Sequence, residues 1–270
     1  MNTVKIAMLR AAKALRKVAA ENEALKSDGS LYKECIKLAF DMASSGVPDP
    51  EVRLSAAYFA ARSLDALKKD DMAEERYRAV LAATGTNPYS DNAAIALAAL
   101  QLRNGKKAAA LSTLGNLVET TSALDVGNSA AMQAAALANE LGMQDKALQF
   151  YDKVARGNGD DKSRAEATLA ALRLRYEAND SAGIIAMGEG LESKVPSDSR
   201  SEALQILAAT FRKAGKESLA IGIYDRLAKE FPDTATNPDT RYQRLLSLYA
   251  TKDKNLVAEV DGFLQIAKNP

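Results

Sequence analysis

Residues 128–159 read NSAAMQAAALANELGMQDKALQFYDKVARGNG, and their spacing describes two helices joined by a turn. Residues 129–141 are Ala-rich and apolar and run into Leu141-Gly142. Glycine ends a helix cheaply, because it enters the left-handed conformation without a Cβ clash. From Asp145 to Ala155, the residues Ala147, Leu148, Tyr151, Val154 and Ala155 fall at i, i+1, i+4, i+7 and i+8. That is one face of a second helix. Gly157-Asn158-Gly159-Asp160 follows as a loop.

Tyr151 belongs to a series. Phe40, Tyr77, Leu114 and Tyr151 stand 37 residues apart, each preceded four residues earlier by Ile36, Ala73, Ala110 or Ala147. The series resumes one residue short at Ala220 and Tyr224. Asn104-Gly105 and Ala214-Gly215 repeat the Gly142 turn, and Pro196 and Pro232 sit where second helices should end. A period of this length means that one supersecondary unit stacks on the next. The small residues serve close helix crossing, where ridges must enter grooves. No stretch alternates at period two, so no strand is required. Helix pairs are predicted over 4–45, 51–83, 91–121, 128–156, 163–194, 199–231 and 239–267. The fold class is therefore all-α, a solenoid of six to seven antiparallel helix pairs forming a single array over 1–270. Its first and last pairs, 4–45 and 239–267, fit least well and are expected to act as caps.

Composition excludes several chemistries. The 270 residues hold 36 Lys plus Arg against 35 Asp plus Glu, a net charge of +1 that draws neither nucleic acid nor an anionic membrane. There is no His, which removes the Ser-His-Asp and Cys-His mechanisms and the H-E-x-x-H zinc site. Cys35 is the one cysteine, expected as a small buried residue beside Ile36 and Leu38. Asp160-Asp161 in the Gly-rich loop would repel phosphate, and the loop lacks calcium-ligand spacing. Ser30-Leu31-Tyr32-Lys33 matches S-x-x-K, a pattern short enough to arise by chance. Pairs such as Glu74 with Arg78 read as a solvated helix face. The basic start, with Lys5, Arg10, Lys13, Arg16 and Lys17, reads as a first helix with a solvated face; its apolar runs are too short for a signal-peptide core. No metal, nucleotide or other cofactor, no catalytic residue and no stable membrane insertion are expected.

The pattern resembles a tetratricopeptide repeat array. Ala135, Gly142, Ala147, Tyr151 and Val154 match that family's unit in one copy. Ala98, Gly105, Ala110, Leu114 and Leu117 match in a second, and Ala208, Gly215, Ala220, Tyr224, Leu227 and Pro232 in a third. The copy near 165–196 departs, with Ile184 in place of the Ala and Gly188 in place of the aromatic, so its second helix should be looser or packed on a bulky neighbour. The resemblance implies a right-handed superhelix, and a concave groove lined by the first helix of each pair. Carried onto this chain, the groove positions are Tyr58, Phe59, Arg62, Ile95, Leu102, Met132, Asn139, Leu169, Arg173, Tyr176, Gln205 and Arg212. Tyr58, Phe59, Ile95 and Leu169 have a competing reading as core between adjacent pairs. The family's carboxylate-clamp positions hold Tyr58/Arg62, Ile95/Ala99 and Met132/Ala136, which do not match the clamp's Lys and Asn.

The function so implied is a non-catalytic scaffold that binds a peptide or helix of another protein in the groove, with a homo-oligomer through a terminal repeat also open. One alternative is a regulatory or recruiting domain of a larger enzyme assembly. A helical-repeat RNA binder is the other, and it would need a basic groove that the balanced charge opposes. Residues 220–234, AIGIYDRLAKEFPDT, are similar to a segment of bacterial envelope proteins of this family, which inclines the location toward the periplasm and cell envelope over the cytoplasm.

Overall fold

The computed structural model of the chain describes residue 37 and residues 50–83, 87–188 and 190–268. Apart from residue 37, the predicted pair 4–45 lies outside the described residues, and with it Phe40, Cys35 and Ser30–Lys33. Thirteen α-helices and no strand occur among those described. Contacts group the chain into two units, Met1–Met143 and Gln144–Pro270, dividing at the turn inside the pair predicted over 128–156.

The first unit contains α1 (Pro50–Ala66), α2 (Asp70–Leu81), α3 (Ser90–Arg103), α4 (Lys107–Thr120) and α5 (Leu124–Glu140). Each packs on the next in sequence. Tyr58, Leu64, Ala73, Tyr77, Val80, Leu97 and Leu100 share one core cluster. Ala73 and Ala110 are fully buried where the helices cross, and Tyr77 and Leu114 fill the space one turn on. The 37-residue pattern is therefore a packing pattern.

The second unit contains α6 (Gln144–Arg156), α7 (Asp161–Glu177), α8 (Ser181–Ala186), α9 (Arg200–Lys213), α10 (Glu217–Glu230), α11 (Pro232–Thr236), α12 (Pro238–Thr251) and α13 (Leu256–Lys268). Ala147, Tyr151 and Val154 are buried on α6; Ala220, Tyr224 and Leu227 are buried on α10. Asp160 caps α7 by accepting from Ser163 N at 2.9 Å, so the Gly-rich loop serves a helix start.

The irregular copy is more broken than a loose helix. Its second helix, α8, stops at Ala186, and Gly188 and Gly190 follow at φ +89° and +70°. A 3₁₀ turn at Leu191–Ser193 continues the chain. Leu191 and Val195 are buried in one core cluster with Ile184, Leu169 and Leu207.

One turn recurs at the end of every first helix described within the units. Lys68, Gly105, Gly142, Asn179, Gly215 and Lys252 all have φ between 53° and 73°. Each donates its N–H three residues back, and the next residue donates five back: Gly105 N to Leu102 O at 3.0 Å, Lys106 N to Gln101 O at 2.8 Å. Lys252 N to Tyr249 O at 3.1 Å and Asp253 N to Leu248 O at 2.9 Å repeat the arrangement. These bonds satisfy carbonyls that the helix leaves open. They also put the first helices on one common register.

The Glu74–Arg78 pair needs correction. The ion pair forms at 2.7 Å, but Glu74 is buried, so it does not mark a solvated face. Its carboxylate also accepts from Lys106 Nζ at 2.8 Å and Gln101 Nε2 at 3.3 Å, which come from the following pair. Lys106, then Arg78, holds the Glu74 carboxyl down to about 2 from 4.5.

Candidate functional site

The common register assigns three equivalent positions to each first helix, ten, six and three residues before the left-handed residue. In the first unit these are Tyr58, Arg62 and Asp65 on α1, then Ile95, Ala99 and Leu102 on α3, then Met132, Ala136 and Asn139 on α5. In the second they are Leu169, Arg173 and Tyr176 on α7, then Gln205, Ala209 and Arg212 on α9. Eleven of the twelve sequence-predicted groove residues fall on this register, Phe59 being the exception. α12 adds Tyr242, Leu246 and Tyr249, which the sequence reading omitted.

Their surroundings differ. Tyr58 is buried, stacked on Tyr89 with ring centroids 5.1 Å apart, and Phe59 packs edge-on to Tyr58 at 5.2 Å. Arg62 is exposed and donates to Tyr58 Oη at 3.1 Å. Leu169 is core. Met132, Gln205 and Arg212 are half-buried, and Asn139 is exposed. Arg173 is exposed but not free: it donates two bonds of 2.6 Å to Glu202, one to each oxygen. Tyr176, 36% exposed, carries Lys213 Nζ 5.2 Å from its ring centroid. Ile95 and Leu102 are 45% and 39% exposed.

Ile95, Ala99 and Leu102 form one wall of a slot of about 300 Å³ between α3 and α5. Leu114 of α4 lies at its floor, Val126 and Ala130 face it from α5, and Asp125, Ser129 and Gln133 supply polar groups at the rim. Such a slot suits apolar side chains of a bound segment, since burying them gains on the order of 1.5–3 kcal/mol each. A wider opening of about 750 Å³ lies between α2 and α4. Its polar floor is satisfied internally: Gln101 accepts from Thr113 Oγ1 at 2.8 Å and donates to Glu74. No group of three His, Cys, Asp or Glu residues able to hold a metal ion occurs among the described residues. Among them no helix is long and apolar enough to cross a membrane.

The described helices and their sequential packing define an all-α solenoid of helix pairs. Among solved structures, the chain is similar to a tetratricopeptide repeat protein from Parabacteroides merdae, at 14% identity and TM-score 0.44, covering 96% of this chain and 100% of that one. It is similar to a putative kinesin light chain with nearly identical TPR-like repeats from Podosopora anserina, at 17% identity and TM-score 0.40, covering 82% and 95%. A third similarity is to a nuclear import adaptor that is a hypoxic regulator of sterol synthesis, at 15% identity and TM-score 0.28, covering 96% and 94%. No family model matches the sequence, and no curated protein matches it.

Proposed function

We propose that the chain is a non-catalytic protein-interaction scaffold that holds a peptide or helix of a partner protein against the first helices of its pairs, residues 1–270 acting as one array. One observation carries this reading. The register positions of the first helices leave large apolar side chains uncovered, Ile95 and Leu102 beside a slot and Tyr242 and Tyr249 on α12. Clustered apolar and aromatic groups with Arg nearby are the composition of binding surfaces. Of the Arg residues expected there, Arg62 and Arg173 are already bonded to Tyr58 and Glu202, so the apolar positions carry the larger share. The experiment is affinity capture with the whole chain and with an Ile95→Asp/Leu102→Asp variant. The captured partner should be lost with the variant, while its melting temperature stays within about 2 °C of the parent's, as exposed substitutions usually cost little. Full retention of the partner would remove the slot from the binding face.

A further inference from the structure

The dipeptide Asn-Gly occurs twice in the chain, at Asn104-Gly105 and at Asn158-Gly159. In this pair a side-chain amide reacts most readily with its own backbone. The glycine nitrogen, once it sheds its proton, can reach the asparagine Cγ, and glycine brings no Cβ to crowd the ring that closes. Closure needs a glycine N–H open to base and a backbone free to turn on both sides. Every other described asparagine precedes a residue with a side chain or, at Pro88 and Pro238, a residue without an N–H.

The two copies sit in opposite surroundings. Asn104 N donates to Leu100 O at 3.1 Å, Gly105 N to Leu102 O at 3.0 Å and Lys106 N to Gln101 O at 2.8 Å. The nucleophile is held in the turn that closes α3, and attack requires that turn to open first. Asn158-Gly159 lies between helices. Gly157 N still donates to Val154 O at 3.1 Å, and Ser163 N donates to Asp160 Oδ1 at 2.9 Å in the first turn of α7. Among the described residues, the N–H groups of Asn158 and Gly159 and the side-chain amide of Asn158 make no hydrogen bond. Asn158 is exposed.

We propose that Asn158 is a site of spontaneous covalent modification in the folded chain, and that the fold spares Asn104. Gly159 N attacks Asn158 Cγ, a new C–N bond forms, and the side-chain nitrogen leaves as ammonia to give a succinimide. Water then opens either carbonyl of the ring, leaving aspartate or isoaspartate at position 158. The chain loses NH3 and gains H2O; no oxidant and no enzyme takes part. Each event adds a negative charge two residues ahead of Asp160, the cap of α7, where a helix N-terminus accommodates it. The isoaspartate product also inserts a methylene into the main chain between α6 and α7. This inference stands apart from the scaffold reading.

The test incubates the whole chain in mildly alkaline buffer prepared with water enriched in heavy oxygen, folded in one arm and unfolded in guanidinium chloride in the other. Samples are digested at acidic pH, where ring closure is slow, and the peptides holding Asn104 and Asn158 are followed by mass spectrometry. In the folded arm Asn158 should convert at least about tenfold faster than Asn104, which reacts only from an opened turn. Its product should carry one labelled oxygen and separate into two chromatographic forms. In denaturant the two sites should convert at comparable rates, because the bonds around Asn104 are gone. Asn158→Gln should abolish the signal at that site, and Gly159→Ala should slow it several-fold. Equal rates at the two sites in the folded chain would overturn the proposal, as would an Asn158 that converts only in denaturant. A labelled product that survives Asn158→Gln in the same peptide would also overturn it, by placing the reaction at another residue.

Discussion

Lys68, Asn179 and Lys252 occupy the left-handed turn that Gly105, Gly142 and Gly215 occupy elsewhere. For a residue with a Cβ that conformation costs roughly 1–2 kcal/mol, and Asn tolerates it best. Lys252→Gly should therefore stabilise the chain by up to about 1 kcal/mol, the gain being trimmed by glycine's greater freedom when unfolded. Gly142→Ala should cost about 1 kcal/mol from backbone strain alone, since a Cβ there meets nothing within 4 Å. Urea unfolding of both variants measures the pair; a stabilising Gly142→Ala would contradict the turn assignment. The three glycines made this turn legible in the sequence, and Lys68, Asn179 and Lys252 hid it at the other three positions. Glu74 was half legible for a similar reason: its i+4 partner Arg78 is local, whereas Lys106 and Gln101 arrive from the next pair. Its carboxyl is held at about 2, below its usual 4.5, so its contribution is complete above about 4.5 and lost as pH falls toward 2. Stability of the parent should fall across that window more steeply than that of Glu74→Gln. At neutral pH the variant should be less stable by on the order of 2 kcal/mol, because Lys106 and Arg78 lose a charged acceptor. Parallel curves from pH 5 to 2 would show that the network contributes nothing.

At the scale of elements, the helix pairs were legible because small and large residues at 37-residue steps are what crossing helices demand. The departure at Ile184 and Gly188 was legible too, but its consequence was not. Sequence spacing shows that an aromatic is missing without showing what fills the gap. The chain ends α8 at Ala186, turns through Gly188 and Gly190, and supplies Leu191 from the loop. Leu191→Ala should then cost about 2–4 kcal/mol, a core value for a residue outside any α-helix. Backbone bonds are sparse between Met187 and Ser199, so amides there should exchange with solvent well before those of Leu111–Leu117 in α4. Hydrogen exchange read by mass spectrometry checks this; equal protection of the two segments would mean that the loop is as firmly held as a regular second helix.

At the scale of the whole molecule, the register positions from Tyr58 to Arg212 were legible because steps of 37 residues, and once of 36, carry each first helix onto the next. They stopped short of α12 because the pair there loses the template's second-helix marks. Val257 and Asp261 stand where the step places the small and aromatic residues, Val257 is 72% exposed, and α13 instead turns Leu256, Val260 and Phe263 partly inward. Of the positions with a competing reading as core, Tyr58 and Leu169 are buried and Ile95 is not; the partners were beyond the sequence, since Tyr58 meets Tyr89 from a loop and Arg173 meets Glu202 from another helix. Within each unit, the helices pack chiefly on their neighbours in sequence. Stability in such an array is close to a sum of unit and nearest-neighbour contributions, so damage should stay local. Tyr77→Ala empties a fully buried site and should cost about 3–5 kcal/mol, the range of a large aromatic truncation. Its amide exchange should rise over residues 50–103 and hardly at all over 203–227. Leu227→Ala should do the reverse, its partners being Leu204, Ala208, Ala220 and Tyr224. Mapping both variants by hydrogen exchange decides between the nearest-neighbour account and a single cooperative body: a uniform rise along the chain from either substitution would refute local coupling.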